Sequence, residues 1–314
     1  MLSEYQSFCI KILACGLSAS FKENIMYAIT GITGQVGSEL GKLLLDAGLP
    51  VRAVVRDAAK GAAWSARGAQ VALAEISDAD ALAKAFAGAE AVFVLLPPTF
   101  DPTDGFPEAR AQINALHKAL SVAKPSRVVV LSTVGAQATQ PNLLNQLGQM
   151  ERQLRTLDMP VTFLRAAWFM ENSLWDVAAA RASGTIPSFL QPLDRAVPMI
   201  ACRDISTVAA ELLQQTWSGV RVVELEAAAR VSPNDIAASF SRLLGKEISA
   251  AAVPRDTWAD LFASHGMKNP TPRIQMLNGF NEGWIEFEGG REGSRKGSVT
   301  LDQAITALLD RVPA

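Results

Sequence analysis

Three glycines at three-residue intervals, Gly31, Gly34 and Gly37, lie between the apolar run Tyr27-Ala28-Ile29 and a stretch in which Leu40, Leu43 and Leu44 mark one helical face. A strand, a turn and a helix in that order suit a dinucleotide. Gly31 permits the tight turn, Gly34 lets the backbone approach a pyrophosphate, and Gly37 lets the helix pack closely on the strand. The free N–H groups and positive dipole end of the helix then face the phosphates. Three glycines also make an ordinary loop, so the spacing needs support from the strands around it. The next apolar run ends Val54-Val55-Arg56-Asp57. An acidic side chain at that point bonds a ribose 2′-hydroxyl, whereas a guanidinium bonds a 2′-phosphate through two N–H groups. Arg56 therefore predicts NADP(H), and Asp57 beside it leaves weaker NAD(H) acceptance open; the alternative is a solvated surface arginine. Glu75, at the end of the third strand, could accept from an adenine amino group or be an ordinary exposed acid.

Other chemistries find little support. His117 and His265 are far apart and form no metal pair, so no metal site is expected; each reads as a surface residue, with His265 also a candidate pocket group. Cys9, Cys15 and Cys202 are too few and too scattered for a disulfide framework or a zinc site, which fits a reducing cytoplasm. No G-x-S-x-G nucleophile elbow occurs. With 29 basic and 31 acidic residues the net charge is −2, which gives no footprint for nucleic acid or anionic membrane. At 314 residues and 49% hydrophobic the chain can bury a large core, and no apolar run approaches the length of a membrane span.

The elements that must position the glycine turn alternate regularly. Strands are predicted at 51–55, 71–74, 91–96 and 127–131, and helices at 58–67, 78–86 (capped by Ser77 or Asp78) and 106–123. Five strands separated by helices predict a parallel sheet, with ligands beyond the carboxyl ends of the strands where strand order reverses. The loops that matter are then 30–37, 56–57, 75–77, 96–99 and 132–135. Further on, a sixth strand is predicted at 161–164, then strands at 195–200, 221–226 and 248–253. Helices are expected at 204–214, 233–244, 255–265, 271–284 and 301–311, and a glycine- and charge-rich loop at 288–298. Residues 1–25 read as an extension outside the fold, because Met26 stands directly before the first strand.

The turn TGITGQVG, the strand end VVRD, the segment AEISDADAL, the strand AVFVLLPP and above all LRAAWFMEN at Leu164 to Asn172 resemble the NmrA-like family of atypical short-chain dehydrogenases/reductases. That family includes NADPH:quinone oxidoreductases and NADPH-sensing regulators. The resemblance implies an α/β fold: a Rossmann-type doubly wound parallel sheet at 26–165 with a smaller C-terminal α/β substrate lobe at 166–314, which could share strands and helices with the Rossmann domain. It also implies a preference for NADP(H). By the same resemblance Gly31, Thr33, Gly34, Gln35 and Val36 cradle the pyrophosphate, Arg56 takes the 2′-phosphate, and the backbone of Leu95, Leu96 and Pro97 lies near the nicotinamide-side ribose.

One departure bears on mechanism. Short-chain dehydrogenases use a tyrosine, with a lysine one helical turn later, to protonate a developing alkoxide. The tyrosines here are Tyr5 and Tyr27, and the corresponding helix reads NLLNQLGQME from Asn142 to Glu151. Gln146 or Asn145 could bond the nicotinamide ribose in place of the absent lysine, or merely cap and solvate the helix. Ser132 and Thr133 end the fifth strand where the dehydrogenases put a substrate-orienting serine, yet such hydroxyls also serve as turn groups. Trp168 and Phe169 are candidate apolar walls of the pocket, and Asn172 a candidate cap or ligand-holding amide. Two function classes result: an NADPH-dependent oxidoreductase on a small apolar acceptor such as a quinone, and a non-catalytic NADP(H) sensor acting through a protein partner.

Overall fold

In the computed structural model, residues 25–312 are described; the expected N-terminal extension, with Tyr5, Cys9 and Cys15, lies outside them except for Ile25. Strands and helices alternate as β1 (Tyr27–Ile29), α1 (Gln35–Asp46), β2 (Val51–Val55), α2 (Ala58–Ser65), β3 (Gln70–Leu73) and α3 (Ala79–Phe86). Next come β4 (Ala91–Leu95), α4 (Pro107–Ala123), β5 (Arg127–Thr133), α5 (Asn145–Leu154) and β6 (Val161–Ala166). The chain continues through β7 (Trp168–Phe169), a 3-10 helix (Met170–Asp176), α6 (Val177–Ala182), β8 (Thr185–Ser188), β9 (Met199–Ile200), α7 (Cys202–Gln214) and β10 (Val220–Ala227). Last are α8 (Pro233–Leu244), β11 (Ser249–Ala252), α9 (Trp258–Ser264), α10 (Thr271–Glu282), α11 (Gly290–Gly293), β12 (Arg295–Gly297) and α12 (Leu301–Arg311).

The central sheet has eight strands in the order β12-β10-β6-β5-β4-β1-β2-β3, all parallel. Strand order reverses between β1 and β4, which makes their carboxyl ends the expected ligand crevice. Period-two alternation assigns each strand residue to a face. Ala28, Val92, Val94, Val128, Val130, Val161 and Phe163 pack with Leu82 and Phe86 of α3, Leu116 of α4 and Met150 of α5. Tyr27, Ile29, Ala53, Phe93, Val129 and Leu164 face the other way, against Leu40 and Leu44 of α1 and Ile205 and Leu212 of α7. A parallel sheet covered on both faces needs such near-continuous apolar strands.

Several predicted elements change shape. The strand expected at 195–200 contracts to β9, and the segment 288–298, read as a loop, contains α11 and β12. The second change follows from Glu226, a carboxylate buried in β10, which accepts from Ser294 Oγ at 2.6 Å, Lys296 Nζ at 2.7 Å and Arg230 Nε at 2.9 Å. That cluster draws a polar segment to the sheet edge, where it pairs beside β10. Asp204 continues the seam by accepting from the backbone N–H groups of Ser298 and Val299. Segments from the second half of the chain thus complete the sheet that the first half begins.

Candidate dinucleotide and acceptor site

The turn between β1 and α1 is held from below by Thr30, whose hydroxyl donates to the Phe93 carbonyl and accepts from the Leu95 N–H, both at 3.2 Å. This ties the ends of β1 and β4 together at the reversal point. Gly31 has φ of +63°, and a Cβ there would lie 2.7 Å from Leu95 Cδ2, so conformation and close approach both demand glycine. Gly37 is equally constrained, since its Cβ would fall 2.3 Å from the Gly31 carbonyl oxygen. Gly34 differs: its φ of −91° suits any residue, and a Cβ would meet only the Gly31 carbonyl oxygen, at 3.3 Å.

Thr33, Gly34 and Gln35 are exposed, and Val36 turns its side chain into the core. No side chain caps α1, and its first turn holds no acid. A helix N-terminus left in this state presents backbone N–H groups to an anion. The residues present therefore fit a dinucleotide's pyrophosphate: an exposed uncapped turn, with glycine where a side chain would stand in the way.

At the end of β2, Arg56 is exposed and has no hydrogen-bond or ion-pair partner among the described residues. Asp57 is otherwise engaged, accepting from the Ala59 N–H at 2.8 Å as the N-cap of α2. Glu75 follows the adjacent strand β3 and is exposed, and Asp78, rather than Ser77, caps α3. On the other side of the reversal, Leu95 is half-buried against Gly31, Leu96 is buried, and Pro97 is half-buried.

The two hydroxyls that end β5 have different fates. Ser132 is buried and donates to Glu151 Oε1 at 2.5 Å, and that carboxylate also receives Arg165 through Nε at 2.9 Å and Nη2 at 2.8 Å. Burial works against the charge on Arg165, but the Glu151 and Glu288 carboxylates outweigh it and hold the guanidinium above its ordinary range. Thr133 is half-buried, and its hydroxyl has no partner among the described residues. The amides of the helix that lacks tyrosine and lysine are also committed. Asn145 accepts from the Asn142 N–H and donates to the Ala138 carbonyl. The amide nitrogen of Gln146 donates to the carbonyls of Thr99 and Leu143, which leaves its oxygen for any ligand.

Trp168 and Phe169 are half-buried in β7, with Trp168 edge-on to Phe280 of α10 at 5.1 Å between ring centroids. Asn172 is exposed inside the 3-10 helix, whose N-cap is Phe169 without a side-chain cap, so it is not the helix cap. His265 is exposed at the carboxyl end of α9, and its ring makes no hydrogen bond among the described residues. His117 bonds Thr156 at 2.9 Å on an exposed face. Among the described residues no group of three or more metal-ligating side chains gathers.

Glu171 and Cys202 escaped the sequence reading. Glu171 Oε1 accepts from the Cys202 N–H at 2.9 Å and so caps α7 from a distance, while its Oε2 is buried without a partner. Cys202 Sγ donates to Gln35 Oε1 at 3.6 Å, and Ser206 Oγ to the Val36 carbonyl at 2.9 Å. Burial and the neighbouring Glu171 push the Cys202 thiol up, so it stays protonated as a donor. The start of α7 thereby braces the glycine turn from the C-terminal half of the chain. Glu171 lies within LRAAWFMEN, but its partner could not be found by spacing.

Known proteins resemble this chain in sequence and in fold. The chain is 30% identical over 244 residues to an NAD(P)H azoreductase of Xenophilus azovorans, covering 77% of this chain and 82% of that one. It is 27% identical over 244 residues to quinone oxidoreductase 2 of Escherichia coli strain K12, with the same coverage. Its fold overlays that of Citrobacter triphenylmethane reductase complexed with NADP(H) at a TM-score of 0.75, 21% identity, and coverage of 90% of this chain and 100% of the other. The sequence model of the NmrA-like family matches residues 23–295. The chain belongs to the NmrA-like family.

Proposed function

We propose that this chain is an NADPH-dependent reductase of small planar acceptors, quinones above all. The observation that carries the reading is the pairing of an uncapped helix N-terminus at a glycine turn with the unpartnered guanidinium of Arg56, one strand away. The turn would hold the pyrophosphate and Arg56 the 2′-phosphate, with NADH bound more weakly. Relatives described as an azoreductase and a quinone oxidoreductase favour catalysis over a purely sensing role.

The nicotinamide would supply a hydride. What the chain adds is orientation. Trp168 and Phe169 would wall the acceptor, and the Thr133 hydroxyl is free to donate to an acceptor oxygen as negative charge develops there. Tyr27, the described tyrosine, is buried in β1, and burial raises its phenol further, so it is no proton source for a ligand. A quinone suits this equipment. Two-electron reduction by hydride leaves a hydroquinone monoanion that takes its second proton from water, whereas a ketone requires an acid to meet a developing alkoxide, worth about 10²–10⁴ in rate.

The test is NADPH oxidation with a panel of quinones and aliphatic ketones, alongside calorimetric titration with NADPH and NADH. Quinone turnover with negligible ketone turnover is expected, and Thr133→Val should lower quinone turnover while leaving NADPH binding intact. Efficient ketone reduction would overturn the mechanism and call for a further acid, His265 being the first to replace.

A further inference from the structure

Arg273, in the first turn of α10, is half-buried and has neither a hydrogen bond nor an ion pair among the described residues. Its guanidinium lies over Phe262 at 4.7 Å and Phe100 at 5.8 Å from the ring centroids. Other arginines in the chain stack on aromatic rings too, but each has a further polar partner. Arg155 pairs with Glu151, Arg221 bonds Thr162 and Gln215, and Arg255 bonds Asn278. Ring faces compensate a guanidinium only in part, since they engage its charge and leave its N–H donors in the plane unfilled.

The acids closest in sequence to Phe100 are not available to it. Asp101 accepts from the backbone N–H groups of Lys268 and Asn269, which hold its carboxyl below the usual range, and Asp104 accepts from the Asn269 amide. These bonds strap the loop after β4 onto the segment leading into α10. Both partners are also tied to the candidate site: the Pro272 carbonyl at the start of α10 accepts from the Leu143 N–H at 2.9 Å, and Gln146 holds Thr99 of the loop. Arg273, Leu277 and Phe280 succeed one another at helical spacing along a face of α10, and Phe280 touches Trp168. From Phe280 to Arg273 the helix rises roughly 10 Å; Leu277 and Phe280 are buried, and the face meets solvent at the half-buried Arg273 and the exposed Phe100.

We propose that Arg273, flanked by Phe100 and Phe262, is an anion-recognition subsite at the outer end of the acceptor pocket, and that it selects planar aromatic acceptors carrying a carboxylate or sulfonate. The proposal rests on the reductase reading only for turnover; as a binding site it stands by itself. The anion would receive the in-plane donors of the guanidinium, while the rings would stack beside the body of the acceptor. Burial draws Arg273 below the ordinary arginine range with no carboxylate to oppose it, as expected of a cation kept waiting for a partner.

The test compares a naphthoquinone sulfonate with the unsubstituted naphthoquinone in the wild type, Arg273→Met and Arg273→Lys. In parallel, calorimetry in the presence of NADP⁺ compares a naphthalene sulfonate with a neutral naphthol. Arg273→Met should raise KM for the sulfonated quinone about ten- to hundred-fold, the loss of charge-assisted hydrogen bonds, with KM for the neutral quinone and NADPH affinity unchanged; Arg273→Lys should recover part of the loss. Equal losses for both quinones, or none, would overturn the subsite and leave the reductase reading in place. Arg273-dependent binding of the naphthalene sulfonate without turnover of either quinone would sustain the subsite and overturn the reductase reading. A merely structural clamp predicts a lower melting temperature and equal damage to both acceptors.

Discussion

Arg56 and Arg165 show how differently one side-chain type is used in this chain. Arg165 is buried and forked onto Glu151, whereas Arg56 stands exposed at a strand end with no partner among the described residues. Replacing Arg56 by Ala should lower NADPH affinity by one to two decades, the equivalent of roughly 1.5–3 kcal/mol, and leave NADH affinity nearly unchanged. Calorimetry reads both, and equal losses would remove Arg56 from the cofactor site. Asp176 offers a pH test. Burial pushes its carboxyl from 3.8 up to about 7. Between those values the folded chain retains a proton that the unfolded chain has released, so this group's contribution to stability falls as pH rises and is lowest above pH 7. Asp176 keeps part of its surface in solvent, so Asp176→Asn should stabilise by about 1–2 kcal/mol at pH 8 rather than by the full shift, and by clearly less at pH 5. Thermal melts at the two pH values measure the difference, and an equal gain at both would contradict it.

At the level of elements, α1 separates two uses of glycine that look alike in sequence. Gly37→Ala drives a Cβ into the Gly31 backbone, and since neither side can yield cheaply the expected result is a loss of about 1–3 kcal/mol in thermal or urea unfolding. Gly34→Val sits at an exposed position where its Cβ meets one carbonyl oxygen at 3.3 Å; the variant should fold, with a melting temperature close to wild type, and fail to bind NADPH. Native NADPH affinity in that variant would place the cofactor elsewhere. The glycine turn, the strand end at Arg56 and most helices were legible because each is encoded by a short contiguous run: β-branched residues for β2, a leucine face for α1, an Asp cap for α3. What was not legible lies between distant residues. Nothing near Glu226 in sequence announces that Ser294 and Lys296 will reach it, so a charge-rich segment read as a loop became a strand. Nor does any spacing distinguish Ser132, spent on Glu151, from its neighbour Thr133.

For the whole molecule, the parallel sheet runs from β3 to β12 without a break, and β10 with β12 comes from the half of the chain expected to form the substrate lobe. Alternating strands and helices made the doubly wound order predictable, but the extension of the sheet by later strands depends on buried pairings such as Glu226 with Lys296, which only the folded chain brings together. A continuous sheet argues for one cooperative unit. Calorimetry should therefore record a single thermal transition, and saturating NADPH should shift all of it upward; two separable transitions, with only the earlier one responding to NADPH, would show that the halves fold independently. The brace from Glu171 and Cys202 to Gln35 gives that coupling a physiological reading. A nucleotide held at the glycine turn would also fasten the start of α7, and with it the strands that come after. A protease meeting the protein would then cleave it fastest when NADP(H) is scarce, so that the lifetime of the protein, and not only its rate, would track the size of the cell's NADP(H) pool.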